Sequence, residues 1–200
     1  MGPSGPLEDL HMHEDLAEVL LDEDAIRAGI DRLAAEVTET FRGKDLTVVS
    51  VLKGSCVFAS DLIRRLPIPL ELAFVAASSY RDGTESGELS LDFLPAGNEI
   101  EGRSLLLVDD ILDTGRTMHR LKKEMLAMGA AEVRTCVFLD KPSRRALEFE
   151  ADFRAFEVDD LFVVGYGLDF AGRYRNLPCV GVLRPEAQER VATRPSATSA

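Results

Sequence analysis

The sequence predicts an α/β fold, a mainly parallel sheet flanked by helices. Three observations predict it. Short apolar runs at residues 46–52, 70–77, 105–108 and 133–139 have the length of strands buried on both faces. Stretches with apolar residues three and four apart alternate with these runs, as crossover helices do. The runs also lead into polar or glycine-bearing loops, and ligands on such sheets bind beyond the carboxyl ends of the strands.

The elements follow in order. Asp22 or Asp24 can cap a helix that carries Ile26, Ile30, Leu33, Val37 and Phe41 on one face. The strand at 46–52 ends in the turn Lys53-Gly54-Ser55, and a helix follows over 55–66 until Pro67 and Pro69 break it. A strand at 70–77 leads into residues 78–102, rich in Ser, Gly and acids. That length marks a lid with short strands of its own rather than a simple connection. The run at 105–108 is a third strand. Met118, Leu121, Met125 and Met128 then space out a helix that ends near Gly129. Strands at 133–139 and 161–164 complete the series, the second running into Gly165-Tyr166-Gly167.

Bulk properties bound the function. Two hundred residues suit one domain over 1–200. Its core lies at about 14–186, with a flexible N-terminus at 1–13 and a disordered tail at 187–200. The apolar share is 46% and the charged share 29%, ordinary for a globular chain. No apolar run reaches membrane-spanning length, and the acidic start MGPSGPLEDLHMHEDL carries no signal region. The expectation is a cytoplasmic protein without a membrane partner. A net charge of −12 argues against a nucleic-acid partner. Cys56, Cys136 and Cys179 show no metal spacing and read as small reduced residues in or near a core.

The most specific chemistry lies in SLLLVDDILDTGRT, residues 104–117. An apolar strand is followed by three carboxylates, Asp109, Asp110 and Asp113, and then by Thr114, Gly115, Arg116 and Thr117 before a helix starts. Backbone N–H groups at a helix N-terminus attract phosphate, and glycine lets the backbone approach it. Carboxylates beside a phosphate serve to hold hydroxyls, Mg²⁺ or a proton. A helix cap needs only one acid. A Walker A loop fails because the required glycine position is Asp110, and the dinucleotide fingerprint fails because its third glycine would fall on Phe170. The acids are also not spaced D-x-D, as a phosphoaspartate nucleophile usually is.

This stretch resembles the 5-phosphoribosyl-1-pyrophosphate (PRPP) loop of the type I phosphoribosyltransferases. The resemblance implies that family's fold, with a small hood and a mobile lid. It implies that Asp109 and Asp110 hold the ribose hydroxyls and assist Mg²⁺, and that residues 113–117 wrap the 5′-phosphate. Asp113 is then the candidate proton acceptor.

Further segments resemble the hypoxanthine–guanine branch, from about residue 12 to 185. VLKGS at 51–55 is similar to its pyrophosphate loop, which gives Lys53 and Gly54 to PRPP and puts a non-proline cis peptide before the lysine. SSY at 78–80 is similar to the start of the lid, with Ser79 and Tyr80 closing over pyrophosphate. Lys141 matches the lysine that meets the purine 6-oxo group; an ammonium only donates, so it selects oxo over amino purines. In LFVVGYGLDFAGRYRNLP at 161–178, the resemblance puts Phe162 on the purine ring and the Val163 backbone at its edge. It puts Asp169 beside the purine and on Mg²⁺, and Arg175 on pyrophosphate.

The resemblance thus implies a purine-salvage transferase. It moves 5-phosphoribosyl from PRPP to N9 of hypoxanthine or guanine, giving IMP or GMP plus pyrophosphate, and works as a homodimer or homotetramer. Some members carry lysine where this chain has Arg116. The alternative is a PRPP-responsive, RNA-binding pyrimidine-attenuation regulator. Those proteins resemble D-D-V-L-Y-T-G-R-T, with tyrosine at the place of Asp113, and they need a basic face.

Overall fold

The structure, a computed structural model, describes residues 13–79 and 89–192. Tyr80, the tip of the expected lid, most of the expected flexible N-terminus and the last part of the tail lie outside the described residues. Side-chain placement is not described at Ser79. The chain divides into two compact units, 24–160 and a second made of both chain ends, 1–23 with 161–200.

The larger unit holds a six-stranded sheet. Its strands are β2 (Leu46–Leu52), β3 (Leu70–Ser79), β4 (Leu89–Phe93), β5 (Ser104–Leu112), β6 (Glu132–Asp140) and β7 (Phe153–Glu157). The order is β4-β3-β2-β5-β6-β7, and every pairing is parallel except β3 with β4. The expected parallel sheet flanked by helices is therefore present. α1 (Glu23–Phe41) and α2 (Cys56–Ile63) supply one face and α3 (Arg116–Ala127) the other. Phe58 of α2 meets Phe138 of β6 with ring centroids 5.4 Å apart, and Gly29 of α1 lies against the Phe156 ring. On the other face Met118, Leu121 and Met125 of α3 pack on Val49, Leu105, Leu107, Val133 and Val137. Full burial of one such side chain contributes roughly 1.5–3 kcal/mol.

The smaller unit is an antiparallel sheet of three strands ordered β1-β9-β8. These are β1 (Leu16–Leu21), β8 (Val163–Val164) and β9 (Val180–Leu183), joined by helix α4 (Pro185–Ala192). Leu16, Val164, Tyr174, Leu177, Leu183, Ala187 and Val191 form its core.

Several elements differ from the sequence reading. The run at 161–164 forms only a two-residue strand, and it pairs antiparallel with β9 instead of joining the large sheet. The reason is its partner: Val163 and Val164 match Val182 and Gly181. Residues expected in a disordered tail are helical through Ala192, because Ala187 and Val191, four apart, both bury against the small core. β5 does not stop at an acidic turn. It runs through Asp109 and Asp110 to Leu112, held by pairing with β6 out to Asp140. Of the segment expected as a lid, β4 adds an antiparallel edge strand to β3, with Ala77 opposite Leu91.

Candidate active site

The site in the larger unit is built where β2 and β5, side by side and parallel, end together. The Leu52–Lys53 peptide is cis, as the resemblance implies. Ser55 fastens this turn from below: its Oγ lies 2.7 Å from Ser50 Oγ and donates to the Val51 carbonyl at 2.6 Å. Lys53 is exposed and Gly54 buried. Gly54 is glycine for a concrete reason. A Cβ there would lie 1.7 Å from Asp110 Oδ2, so the carboxylate rests on the bare backbone of the turn.

Asp109 is the buried member of the acidic pair, and its Oδ1 accepts from the Asp110 amide at 2.9 Å. Burial first, and the neighbouring Asp110 charge second, push its carboxyl well above the ordinary range. Two adjacent carboxylates offer hard oxygen ligands, and a divalent cation beside them would keep both ionised. Among the described residues no group of three His, Cys, Asp or Glu could hold a metal ion by itself. That donor set fits Mg²⁺, which takes one or two carboxylates and completes its shell with water and substrate phosphate.

Beyond Asp113, Gly115 precedes α3 with φ +83°, a conformation glycine adopts freely. The first turn of α3 contains no acid. The Arg116 amide makes a long bond of 3.4 Å to Thr114 Oγ1, and the N–H groups of a helix start of this kind attract anions. Arg116 is the first residue of the helix.

Lys141 follows β6 directly. Its amide donates to the Leu112 carbonyl at 3.0 Å, which ties its turn to the end of β5. Only 7% of the residue is exposed, and burial lowers its ammonium pKa against the opposing pull of Asp113 and Asp160. The larger unit thus gathers Lys53, Gly54, Asp109, Asp110, Asp113 to Thr117 and Lys141 at the carboxyl ends of β2, β5 and β6.

Two arginines that the sequence reading passed over belong here. Arg145 donates through Nη1 to the carbonyls of Leu112 and Asp113, and its other nitrogen pairs with the buried Asp140. Arg144 Nε donates to Asp113 Oδ1 at 2.9 Å. The signal was the double arginine just after Lys141 in an acidic chain. Partners some thirty residues away left no local trace.

In the smaller unit Phe162 is 52% exposed and meets Phe170 edge-on, centroids 5.4 Å apart. Such a ring has a free face for stacking and an aromatic prop behind it. Val163 is buried in β8. Asp169 and Arg175, assigned to separate ligands by the resemblance, pair with each other at 2.6 Å. Asp169 also accepts from the Gly172 amide at 2.7 Å, and Arg175 donates to the Gly167 carbonyl at 2.6 Å.

Comparisons with known proteins agree with this fold. The phosphoribosyl transferase domain model matches residues 17–171. The hypoxanthine-guanine phosphoribosyltransferase of Staphylococcus aureus is 42% identical over 176 residues, covering 88% of this chain and 98% of that protein. The bifunctional protein TilS/HprT of Listeria monocytogenes is 43% identical over 88% of this chain, which spans only 27% of that longer protein. Among solved structures, a hypoxanthine phosphoribosyltransferase from S. aureus superposes with a TM-score of 0.84 at 41% identity, covering 90% of this chain and 97% of that one. The hypoxanthine phosphoribosyltransferase from Trypanosoma cruzi, in complex with the product IMP, gives 0.80 at 35% identity, covering 86% and 97%.

Proposed function

The chain belongs to the phosphoribosyl transferase family, and we propose that it works as a hypoxanthine–guanine phosphoribosyltransferase. It converts PRPP and hypoxanthine or guanine into IMP or GMP and pyrophosphate. The observation that carries this is one cluster in the larger unit. A carboxylate pair, a glycine-started helix without acid in its first turn and a buried lysine meet where three parallel strands end.

In this reading Asp109 and Asp110 hold the ribose diol. The amides and hydroxyls of residues 113–117 hold the 5′-phosphate, and Lys53, Gly54, Ser79, Tyr80 and Arg175 serve the pyrophosphate. Phe162 stacks on the purine, the Val163 backbone and Asp169 border it, and Lys141 donates to its 6-oxo oxygen. The bond from C1′ to pyrophosphate breaks as N9 bonds to C1′, through a transition state with positive charge on the ribose. Asp113 takes the N7 proton. Lys53 and Arg175 meet the negative charge that collects on the leaving group. Bound through Asp109, Asp110 and Asp169, Mg²⁺ would neutralise part of that charge.

Cytoplasmic placement is proposed as the sequence reading has it, and a homodimer or homotetramer on the resemblance alone; no described helix is long and apolar enough to cross a membrane. The RNA-regulator alternative is disfavoured by Asp113, where regulators resemble tyrosine, and by the net charge of −12. The test is nucleotide formation from PRPP and Mg²⁺ with hypoxanthine, guanine, xanthine, adenine and uracil in turn. Turnover with hypoxanthine and guanine is expected. Turnover with uracil alone refutes the reading.

A further inference from the structure

The larger unit seats a cation on the residue read as proton acceptor. Arg144 Nε donates to Asp113 Oδ1 at 2.9 Å and Nη2 to Oδ2 at 3.4 Å, so both carboxylate oxygens are engaged. The same guanidinium has a second seat, with Nη1 3.5 Å from Asp160 Oδ2. The side chains of Arg144, Asp113 and Asp160 are 47%, 40% and 52% exposed. An ion pair this well solvated shifts an equilibrium by only about one- to fivefold, so exchange between the two acids is easy. Arg145, the next residue, is fixed on the main-chain oxygens of Leu112 and Asp113. The Asp113 backbone is therefore anchored independently of where the Arg144 side chain goes. Lys141 also lies within electrostatic reach of Asp113 and Asp160.

A purine N7–H needs a carboxylate oxygen with a free lone pair in the right direction. Arg144 takes one lone pair on each oxygen, so an N–H arriving there competes with the guanidinium for the carboxylate. We propose that Arg144 is a gate on Asp113, resting on its carboxylate in the empty site and moving to Asp160 when the purine arrives. Purine binding then includes the cost of breaking one ion pair, which is felt equally in the ground and transition states. Such a term appears in KM and leaves kcat alone. The proposal rests on reading Asp113 as the proton acceptor.

The test is steady-state kinetics with hypoxanthine at saturating PRPP. Arg144→Gln is expected to lower the hypoxanthine KM about two- to fivefold with kcat within about twofold of the parent. Asp160→Asn removes the second seat and is expected to raise KM by a similar factor. In the double variant Asp160→Asn should have no further effect, because the cation it governs is gone. Both residues are on the surface, so folding is not at stake. An unmoved KM in Arg144→Gln, or an Asp160→Asn effect that persists in the double variant, overturns the gate. Asp113→Asn separates the two levels. A fall in turnover of about 10²-fold or more leaves the base assignment standing while the gate is judged on KM. Near-parental turnover overturns the base assignment and the gate with it.

Discussion

Gly54→Ala offers a sharp perturbation of the candidate site. The added methyl would stand 1.7 Å from Asp110 Oδ2 and 2.6 Å from its Cγ, where ordinary contact begins at 3.4 Å. The carboxylate must therefore retreat by about 1.7 Å, the difference between the first and last of these distances. The obstacle is the far end of a side chain rather than backbone, so the retreat costs the fold little. It costs the function much more, because Asp110 is assigned to the ribose diol and a misplacement of about 1 Å near reacting groups is worth about 10²-fold. PRPP titrations at saturating hypoxanthine should show kcat/KM for PRPP reduced about 10²-fold. The thermal midpoint should change by no more than a few degrees. A kcat/KM within threefold of the parent, at an unchanged midpoint, would refute the argument that this close approach positions Asp110.

Other predictions follow from burial and charge. Burial depresses the Lys141 pKa below 10.5, so the ammonium assigned to the 6-oxo group is lost as pH rises through that lowered value. The kcat/KM for hypoxanthine should fall on its alkaline side with a midpoint below 10.5, and Lys141→Gln should lower the plateau and abolish this dependence. The stability effect has the opposite sense: between the depressed folded pKa and the unfolded one, the unfolded chain binds more protons, so this group favours folding as pH rises. Asp109 has its folded pKa raised, so its contribution to stability is full below the unfolded value and is lost as pH rises through the folded one. Asp109→Asn should therefore raise the thermal midpoint of the ligand-free protein at pH 7, because it removes a buried carboxyl that folding disfavours in its charged form. It should also weaken Mg²⁺-dependent PRPP binding. Calorimetry on the two proteins, with and without PRPP and Mg²⁺, reads both effects; a lower ligand-free midpoint would contradict the assigned burial cost.

The large sheet was legible because its strands are continuous apolar runs and its helices show the 3.6 period. β2 runs from Leu46 to Leu52 as read, and Ile26, Ile30, Leu33, Val37 and Phe41 of α1 are all buried. The smaller unit was not legible. β1 buries Leu16 fully and leaves most of its length exposed or half-exposed, so LAEVLL carries no clean alternation. Its strand identity comes from β9, with Leu16 opposite Leu183, a partner no local pattern announces. The site divides the same way. The acidic run and Gly115 stood out by type and spacing, whereas Lys141 and the Lys53 turn stood out through the resemblance. The roles of Arg144 and Arg145 depend on which carboxylate or carbonyl the fold brings within reach, and that information is in the tertiary structure.

The smaller unit joins segments far apart in sequence, and this bears on the order in which the fold can form. β1 pairs with β9 across most of the sequence, Leu16 opposite Leu183, so that pairing closes a long loop and forms slowly. Residues 24–160 contain their own sheet and core and can collapse while synthesis continues. The sheet of the larger unit can thus form before the long-range strand pairing that defines the smaller one.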